Sequence, residues 1–416
     1  MGRSGGYRFS VMGGRRVEVR GVDTTACVWP HSPANDSRPL AGVRVLDISR
    51  IVAGPMCAMV LADLGADVVK VEAPGGDEVR RWGPPFRGDS ATYFFAANRN
   101  KWSVVLDLKS HSGRAALAAL AAPADVVVSN FTGKVAEALG ADFVTLARIN
   151  PQVIHVTISG YGPTQPDKPG FDLISQATGG LMSVSGSVGG EPSKVGVPIS
   201  DITTAHYAAI AVLAELARRA SDPEGERRAV RLEVSLQDAT LSLLANQSAG
   251  WLLAGTVPAR LGNDHPNVAP YGVFLTRDGS IAIGVGTDAQ FAKLCAALGR
   301  PSLADDPLFA DNRRRIANLT ELRVALEAEL AVRDTETWAD ILDAHGVPNG
   351  PIRTVPDALA EADDDFVQGL DSEQGRLRMT VTPIRTDGNF WPHYLPPPGL
   401  GEHTGRIFPS AAREAP

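Results

Sequence analysis

Cysteine is scarce in this sequence, and long apolar runs are missing from it. The 416 residues include three cysteines, Cys27, Cys57 and Cys295, and no two of them have CxxC or mixed Cys/His spacing. This pattern excludes a disulfide framework and a cysteine-based zinc site, and it favours a reducing compartment. No stretch reaches 18 consecutive apolar residues, and residues 1–20 lack the apolar run of a signal peptide. We therefore expect a cytoplasmic protein with no membrane partner.

A dominant basic surface is missing as well. The chain has 40 basic and 47 acidic side chains, a net charge of −7 and a pI near 5.7. This balance predicts no nucleic-acid partner, although local basic pockets for a small phosphorylated ligand stay open. The eight histidines show neither HxH nor HExxH spacing, so no metal site is predicted.

The motifs of three common enzyme classes are also absent. Gly284-Val285-Gly286 lacks the third glycine of a dinucleotide-binding loop, and the first strand-to-helix turn reads Ala53-Gly54-Pro55 instead. The one GxSxG match lies at residues 2–6, where no strand precedes it, and no GxxxxGK[ST] loop occurs. The sequence therefore lacks the motifs that best identify dehydrogenases, α/β-hydrolases and P-loop NTPases.

The sequence does contain an alternation of short β-prone runs and helical segments. Strands are predicted at 43–47, 68–72, 103–106, 125–128, 153–158 and 231–234. Helices are predicted in most of the intervals between these strands, including a long one from Asp201 to about Arg219. Strands that alternate with helices indicate a parallel, doubly wound sheet and thus a Rossmann-like α/β domain.

Composition predicts the domain boundaries. Residues 1–39 are rich in Gly, Arg, Ser and Pro and are interpreted as an N-terminal tail. A large Rossmann-like domain is expected from 40–228 together with 358–416, with a linker at 229–261. A hairpin-like pair of runs followed by helices predicts a smaller α+β domain at 262–357.

Asp201 is the strongest single candidate for chemistry. It lies directly before the helical run ITTAHYAAIAVLAELARR, where its carboxylate would meet free N–H groups and the positive end of the helix dipole. A plain helix cap explains an aspartate at such a position. The same environment would also keep a carboxylate ionised and oriented, as a nucleophilic aspartate requires. The local pattern leaves both interpretations open.

From Leu40 to about His403 the chain resembles the class III coenzyme A transferases. That family includes formyl-CoA transferase, carnitine CoA-transferase and, as a divergent branch, the α-methylacyl-CoA racemases. The matching segments follow the family's order and include LAGVRVLDISRIVAGP, LADLGADVVKVEAPGGDEVR, NRNKWSVVLDLKS, ADVVVSNFTGKVAEALG, GFDLISQATGGLMSVSG and PPPGLGEHT. The resemblance implies a Rossmann-like large domain that binds CoA, a smaller α+β domain and an interlocked homodimer.

The resemblance also implies site residues and a reaction. Asp201 would be the nucleophile that moves CoA from an acyl-CoA to a carboxylic acid, through an aspartyl anhydride and an aspartyl-CoA thioester. The CoA thioester is then a substrate, and no permanently bound cofactor is implied. The implied CoA-binding positions are Val52, Ala53, Leu106, Asp107, Leu108, Lys109, Asn130, Phe131, Thr132, Pro169, Gly170, Phe171 and Asp172.

Two departures from the family pattern bear on function. Ala73 and Ala138 stand where arginines often hold the adenosine phosphates, so Lys109 and Lys134 are expected to replace them, as point charges without the guanidinium fork. Phe171 stands where the racemase branch has a histidine. Without that base, racemisation is disfavoured relative to transfer. A racemase and a non-catalytic acyl-CoA-binding protein remain as alternatives.

The acyl group is the least determined feature. GFDLISQATGGLMSVSG and HPNVAPYGVF most resemble the branch that handles succinyl-CoA and other dicarboxylate donors. His265, Asn267 and Tyr271 would then meet a distal carboxylate. Pro and Asn also shape turns routinely, so His265-Pro266-Asn267 is equally well explained as a turn.

Overall fold

The computed structural model describes residues 27–409. Their contacts define two compact units. The first takes its described residues from 1–181, 195–248 and 363–416, and the second from 182–194 and 249–362. The expected tail at 1–39 lies partly outside the described residues, since positions 1–26 are not among them.

The strands are, in chain order, β1 (Arg44–Asp47), β2 (Asp67–Glu72), β3 (Phe86–Arg87), β4 (Ser90–Ala91), β5 (Lys101–Val105), β6 (Val126–Ser129), β7 (Ile154–Ser159), β8 (Val230–Ser235), β9 (Tyr271–Leu275), β10 (Ser280–Gly284), β11 (Asn349–Pro351), β12 (Val367–Ser372) and β13 (Gly375–Thr380). The six strands predicted between residues 43 and 234 are confirmed with end shifts of one or two residues.

The α-helices are α1 (Ala53–Asp63), α2 (Thr92–Phe95), α3 (His111–Ala121), α4 (Gly133–Leu139), α5 (Phe143–Ile149), α6 (Asp172–Thr178), α7 (Leu181–Val184), α8 (Ile199–Ser221), α9 (Leu236–Ser242), α10 (Ala245–Ala254), α11 (Asp288–Ala297), α12 (Asn312–Ala317), α13 (Leu319–Leu330), α14 (Thr335–Ala344), α15 (Val355–Ala360) and α16 (Thr404–Ile407). Short 3-10 helices occupy Pro33–Asn35, Glu78–Arg81 and Pro301–Asp305.

A six-stranded sheet organises the first unit. Its strand order is β5-β2-β1-β6-β7-β8, and every neighbouring pair is parallel. If the six strands are counted in chain order, this is the 3-2-1-4-5-6 order of a doubly wound Rossmann sheet. The direction of winding reverses between β1 and β6. Ligands of such sheets bind in the crevice outside the carboxyl ends of the strands at that reversal.

Both faces of the sheet are buried, because neighbouring strand residues point to opposite sides. On one side Val45 and its neighbours pack in a cluster that includes residues of α1 and α8. On the other side Leu46 joins a second cluster with residues of α3 and α5 and with Phe408. This explains why the strands read as nearly continuous β-branched runs and confirms the doubly wound α/β prediction.

Residues 27–39, part of the expected tail, pack against the first unit. Val28 donates its N–H to the Ile407 carbonyl at 2.9 Å. Arg38 is 5% exposed and donates to the carbonyl of Pro392 at 2.8 Å. Its guanidinium also lies 4.9 Å from the ring centroid of Tyr394. Gly/Ser/Pro-rich composition carried no sign of these contacts, because they involve partners more than 350 positions away.

The second unit has a three-stranded antiparallel sheet in the order β11-β10-β9. Helices α11, α13 and α14 contribute to its apolar core around Phe274 and Phe291. The predicted hairpin is β9 and β10. Residues 229–261, expected as a linker, contain β8, α9 and α10, and β8 completes the sheet of the first unit.

Within residues 27–409, no helix is long and apolar enough to cross a membrane.

Candidate active site

The loops after β1 and β6 meet at the reversal point of the sheet. Asn130 accepts the Arg50 N–H at 2.9 Å and donates its own amide to the Arg50 carbonyl at 2.7 Å. The Arg50 guanidinium lies 5.2 Å from the ring centroid of Phe131 and forms a 3.5 Å ion pair with Glu78. A half-exposed cation therefore stands at the crevice where a sheet of this winding binds its ligand.

Val52 and Ala53 form the start of α1 beside this crevice. Val52 is the N-cap and provides no side-chain cap. The two residues are 2% and 3% exposed, so their side chains lie in the core and offer no surface to a ligand. Backbone N–H groups at a helix start suit a phosphate, because they add to the positive end of the helix dipole.

Leu106 to Lys109 follow β5, which is an edge strand. Leu106 is buried, and its N–H is bonded to the Glu72 carbonyl at 2.9 Å. Asp107 accepts the Lys109 N–H at 3.0 Å in the turn that leads into α3, while Leu108 packs against the core cluster that contains Leu46. Lys109 is exposed, so it offers a charge at this end of the sheet.

The loop after β7 folds back on itself at Gly160 and Gly170. A Cβ added to Gly170 would lie 2.4 Å from the Gly160 Cα, and one added to Gly160 would lie 2.7 Å from the Gly170 Cα. Both positions therefore require glycine. The contact returns Phe171 and Asp172 to the end of the strand, where Phe171 is 51% exposed and Asp172 begins α6.

Asp172 reaches from α6 to the first turn of α8. One of its carboxylate oxygens accepts the Ser200 N–H at 2.8 Å and the Asp201 N–H at 3.4 Å. The expectation that Asp201 precedes its helix is wrong by three positions, because α8 begins at Ile199 after an N-cap at Pro198. Asp201 is thus inside the first turn, and the capping carboxylate comes from Asp172. A plain capping role for Asp201 is excluded.

The Asp201 carboxyl is nearly buried, at 9% exposed. Burial, and after it the negative charge of Asp172, raises the pKa of Asp201 to about 7. The helix start therefore does not keep the pKa of this group in the range of an ordinary carboxyl, since removal from water opposes the charged form more strongly. Tyr93 on α2 lies within the field of the same two carboxylates. Burial and their charges raise the pKa of its hydroxyl to about 12.

A fixed frame surrounds the two carboxylates. The second oxygen of Asp172 accepts from the Gln176 amide at 2.7 Å, and the Gln176 oxygen accepts the Val195 N–H at 2.9 Å. The Ser200 hydroxyl accepts from Thr240 at 2.8 Å. Gln176, Ser200 and Thr240 are fully buried, so rotation of Asp172 is restricted by packing as well as by hydrogen bonds.

All the CoA-binding positions expected from the resemblance lie at the carboxyl edge of the sheet. They follow β1, β5, β6 and β7, strands that span about 19 Å at a spacing of about 4.8 Å. Asp172 directly contacts Asp201, and Asn130 contacts the loop before Val52. Leu106 to Lys109 stand apart from these groups, two strands or about 10 Å from β1.

The structure adds Arg50, Tyr93 and Gln176 to this edge. Gln176 is four positions after Asp172, a helical spacing at which side chains meet, so its contact was readable from the sequence. Arg50 follows the first strand directly and was readable as a loop cation. Tyr93 approaches Asp201 only through the fold, and no local signal indicated it.

Lys134, one of the two lysines expected to replace the missing arginines, lies at the surface. Lys134 is 84% exposed and pairs with Asp167 at 3.4 Å. Arg80, near Ala73, does not serve as the absent cation. It is buried and forks onto Glu72 through two bonds of 2.7 Å.

His265 in the second unit is engaged in local structure. Its Nδ1 accepts the Asn267 N–H at 3.0 Å, and its ring centroid lies 5.2 Å from that of Tyr271. This geometry favours the turn interpretation over a carboxylate-binding role for the histidine. Between residues 27 and 409, no group of three or more His, Cys, Asp or Glu side chains is arranged to hold a metal ion.

Known proteins resemble this chain over nearly its full length. The model of CoA-transferase family III matches residues 40–404. A relative from Agrobacterium fabrum, named succinate–glutarate CoA-transferase, is 38% identical and covers 90% of this chain and 96% of its own. A Mus musculus relative named succinyl-CoA:glutarate CoA-transferase is 36% identical and covers 95% of this chain and 92% of its own. The solved structure of a CaiB/BaiF family protein from Brucella suis has a TM-score of 0.78 at 38% identity, over 90% of this chain and 99% of that one.

Proposed function

From the premise that the chain belongs to CoA-transferase family III and is a CoA-transferase, we propose that Asp201 is its nucleophile. The observation that supports this role most strongly is the buried Asp201 carboxyl in the first turn of α8, fixed beside Asp172. A carboxyl with a pKa of about 7 is a stronger base than an ordinary carboxylate, and it keeps a large ionised fraction at neutral pH.

The proposed reaction has four balanced steps. The Asp201 carboxylate attacks the thioester carbonyl of the donor, which forms a mixed anhydride and releases CoA thiolate. The thiolate attacks the Asp201 carbonyl, which releases the donor acid and leaves an aspartyl-CoA thioester. The acceptor carboxylate then displaces CoA thiolate to give a second anhydride. The thiolate attacks the acceptor's acyl carbon, so acyl-CoA leaves and the Asp201 carboxylate is regenerated.

Burial of Asp201 has a second consequence for this chemistry. Anhydrides and thioesters are activated acyl groups that water hydrolyses. A nucleophile that is 9% exposed holds these intermediates where little water reaches them. No metal or redox group enters any of the four steps, because each is an acyl transfer between oxygen and sulfur.

We infer that CoA lies along the carboxyl edge of the sheet. The backbone at Val52 and Ala53 would meet the diphosphate, and Arg50, a half-exposed cation, precedes that helix start by three positions. Lys109 would meet the phosphate at the far end, after β5. The edge between β5 and β7 suits an extended ligand whose thioester reaches Asp201 from the side of Asp172.

The acyl donor is proposed to be a dicarboxylyl-CoA such as succinyl-CoA. Support comes from the names of the relatives, which include succinate–glutarate and succinyl-CoA:mesaconate CoA-transferases at 35–38% identity. A panel of donors with a fixed acceptor acid tests the proposal. We expect kcat/KM for succinyl-CoA to exceed that for butyryl-CoA, whose acyl chain has the same length but no second carboxylate. Equal kcat/KM values would remove the dicarboxylate preference and leave transfer intact.

The nucleophile is tested by substitution and by trapping. Asp201→Asn should abolish transfer yet retain acyl-CoA binding, because the amide fills the same space. Hydroxylamine added during turnover should convert residue 201 of the wild type to a hydroxamate, detectable by peptide mass. Asp125→Asn is the matched control. Asp125 accepts the Arg44 N–H at the amino ends of the strands, whereas the proposed site lies at their carboxyl ends. Full transfer by Asp201→Asn would overturn the assignment.

We also propose a cytoplasmic homodimer with interlocked subunits. The dimer rests on the family resemblance. The compartment rests on the cysteines, none of which is paired in the structure. Sedimentation at micromolar concentration tests the dimer, and a monomer there would contradict it.

A further inference from the structure

The segment Ser49–Pro55, which runs from the end of β1 into the first turn of α1, is held by buried lysines at both ends. Lys70 on β2 donates to the Ser49 carbonyl at 3.0 Å. Lys101 on β5 donates to the Pro55 carbonyl at 2.7 Å. Both lysine side chains are fully buried, and each also forms an ion pair with a buried aspartate. The backbone of this segment is thus fixed by two neighbouring strands.

Within the segment, Ile51 has a backbone that a β-branched residue rarely adopts. Its φ is +72°, in the left-handed region, where such a residue is strained by about 1–3 kcal/mol. Both carboxylate oxygens of Asp77 lie 3.2 Å from the Ile51 nitrogen and accept its N–H. The Ile51 side chain packs against the small cluster of Val79 and Phe94.

Asp77 is itself fixed. Its side chain is 1% exposed and pairs with Lys70 at 3.2 Å, and its backbone N–H bonds to Glu72 at 3.0 Å. It cannot touch a ligand directly. It acts on the one residue of the segment whose conformation is unfavourable in isolation, immediately before Val52.

We propose that Asp77, with Lys70 as its counter-ion, is a positioning residue that holds Ile51 in the left-handed conformation and so preorganises the Val52–Ala53 backbone for acyl-CoA. This rests on the proposed placement of CoA at the start of α1. Without Asp77 the segment relaxes in the free enzyme, and acyl-CoA binding must bear the cost of reordering it. Chemistry at Asp201, on another helix, is unaffected once the substrate is bound.

Asp77→Asn tests the proposal, because the amide keeps one acceptor for Ile51 and loses the charge that pairs with Lys70. We expect the KM and dissociation constant for acyl-CoA to rise by about tenfold or more, the cost of a charged hydrogen bond, with kcat within about threefold of wild type. Asp63→Asn is the matched control. Asp63 is also buried and ion-paired, to Arg99 at 2.5 Å, but it is the last residue of α1 and lies at the opposite end of the helix from Val52. It should lose stability without a change in acyl-CoA KM.

A second variant covers the case in which Asp77→Asn does not fold. Ile51→Gly removes the strain and the anchoring side chain, so the segment becomes mobile and the acyl-CoA KM should rise severalfold with kcat retained. Asp387→Gly, at an exposed left-handed residue, should change neither. An unchanged acyl-CoA KM in folded Asp77→Asn, or in Ile51→Gly where the former fails to fold, overturns the inference. Failure of the proposed function is recognised separately, by full transfer in Asp201→Asn or absence of transfer in wild type.

Discussion

Asp172 accepts a hydrogen bond from the backbone N–H of Asp201, with a nitrogen-to-oxygen distance of 3.4 Å. The two carboxylates belong to different helices and are 29 positions apart in the chain. Asp172 thereby has two opposing effects. It orders the turn that carries Asp201, and its negative charge disfavours ionisation of Asp201. The proposed nucleophile is therefore held in place by the same residue whose charge helps to make its carboxyl unusually basic.

The first prediction concerns the pH dependence of transfer. In the proposed mechanism only the ionised form of Asp201 attacks the thioester, so kcat/KM for acyl-CoA should rise with pH and reach half its plateau near pH 7. Asp172→Asn removes the neighbouring charge and retains an oxygen for the Ser200 N–H. Its midpoint should move to lower pH. Asp125→Asn should leave the midpoint in place. A wild-type profile that is flat between pH 5 and 8 would contradict the assignment of the pKa.

The second prediction concerns stability. The folded-state pKa of Asp201 is about 7, whereas an unfolded aspartate titrates near 3.9, so the folded state binds the extra proton between these values. Stability is therefore lost as pH rises from about 4 to 7 and stays low above 7. Asp201→Asn avoids this loss. Its free energy of unfolding should exceed that of wild type at pH 8 by up to about 4 kcal/mol, and by little at pH 4.

Thermal unfolding of both proteins at pH 4 and pH 8 measures this difference. Asp142→Asn is an informative contrast. Partial burial of Asp142 raises its pKa, but hydrogen bonds from Thr145 outweigh this effect and hold the pKa of Asp142 below its usual range. The stability that Asp142 contributes is thus present at pH 8 and lost as pH falls toward the folded-state pKa. Asp142→Asn should lower the melting temperature at pH 8, opposite in sign to Asp201→Asn.

The sheet was predictable because each strand carries its own signal. Runs such as Val68-Val69 and Val126-Val127-Val128 are β-branched on both faces, as strands buried on both sides must be. The hairpin β12–β13 was missed. Its sequence, with Asp371 and Arg376 opposite each other, lacks a continuous apolar run. Helix α5 was missed because it has only seven residues, of which Leu146 alone is buried.

The site was predictable as a set of positions but not as an arrangement. Local pattern gave Asp201 either a capping or a chemical role, and only the contact with Asp172 separates the two. That contact depends on the close approach of two glycines and on the packing of α6 beside α8. The position of Asp201 relative to the helix start was wrong because Pro198-Ile199-Ser200 already enters the helix. Burial, which raises its pKa, is a property of the fold alone.

The third prediction concerns racemisation. Racemisation of a 2-methylacyl-CoA requires one group that removes the α-proton from one face and a second group that returns a proton to the opposite face. Position 171, where the racemase branch has one of these groups, carries a phenylalanine without a titratable group. In deuterium oxide without an acceptor acid, wild type should incorporate no deuterium at the α-carbon. With an acceptor present it should transfer CoA. Deuterium incorporation that needs no acceptor would favour the racemase alternative, and neither activity would favour a binding protein.

The fourth prediction concerns the glycine pair that returns Asp172 to the site. In Gly170→Ala the new methyl would lie 2.4 Å from the Gly160 Cα, and because that contact is with backbone no side chain can move aside. The loop must shift, at a cost of about 1–3 kcal/mol, and it must carry Phe171 and Asp172 with it. Since Asp172 orders the turn of Asp201, kcat should fall together with stability.

Gly196→Ala is the matched control for this change. A Cβ at Gly196 meets nothing within 4 Å, and its backbone is outside the left-handed region, so the variant should retain stability and kcat. The two readouts of Gly170→Ala also separate two causes. A loss of stability with unchanged kcat would mean that the loop relaxes without moving Asp172. A fall in kcat at temperatures well below the melting transition would mean that the backbone contact between Gly160 and Gly170 sets the position of Asp172 and, through it, of Asp201.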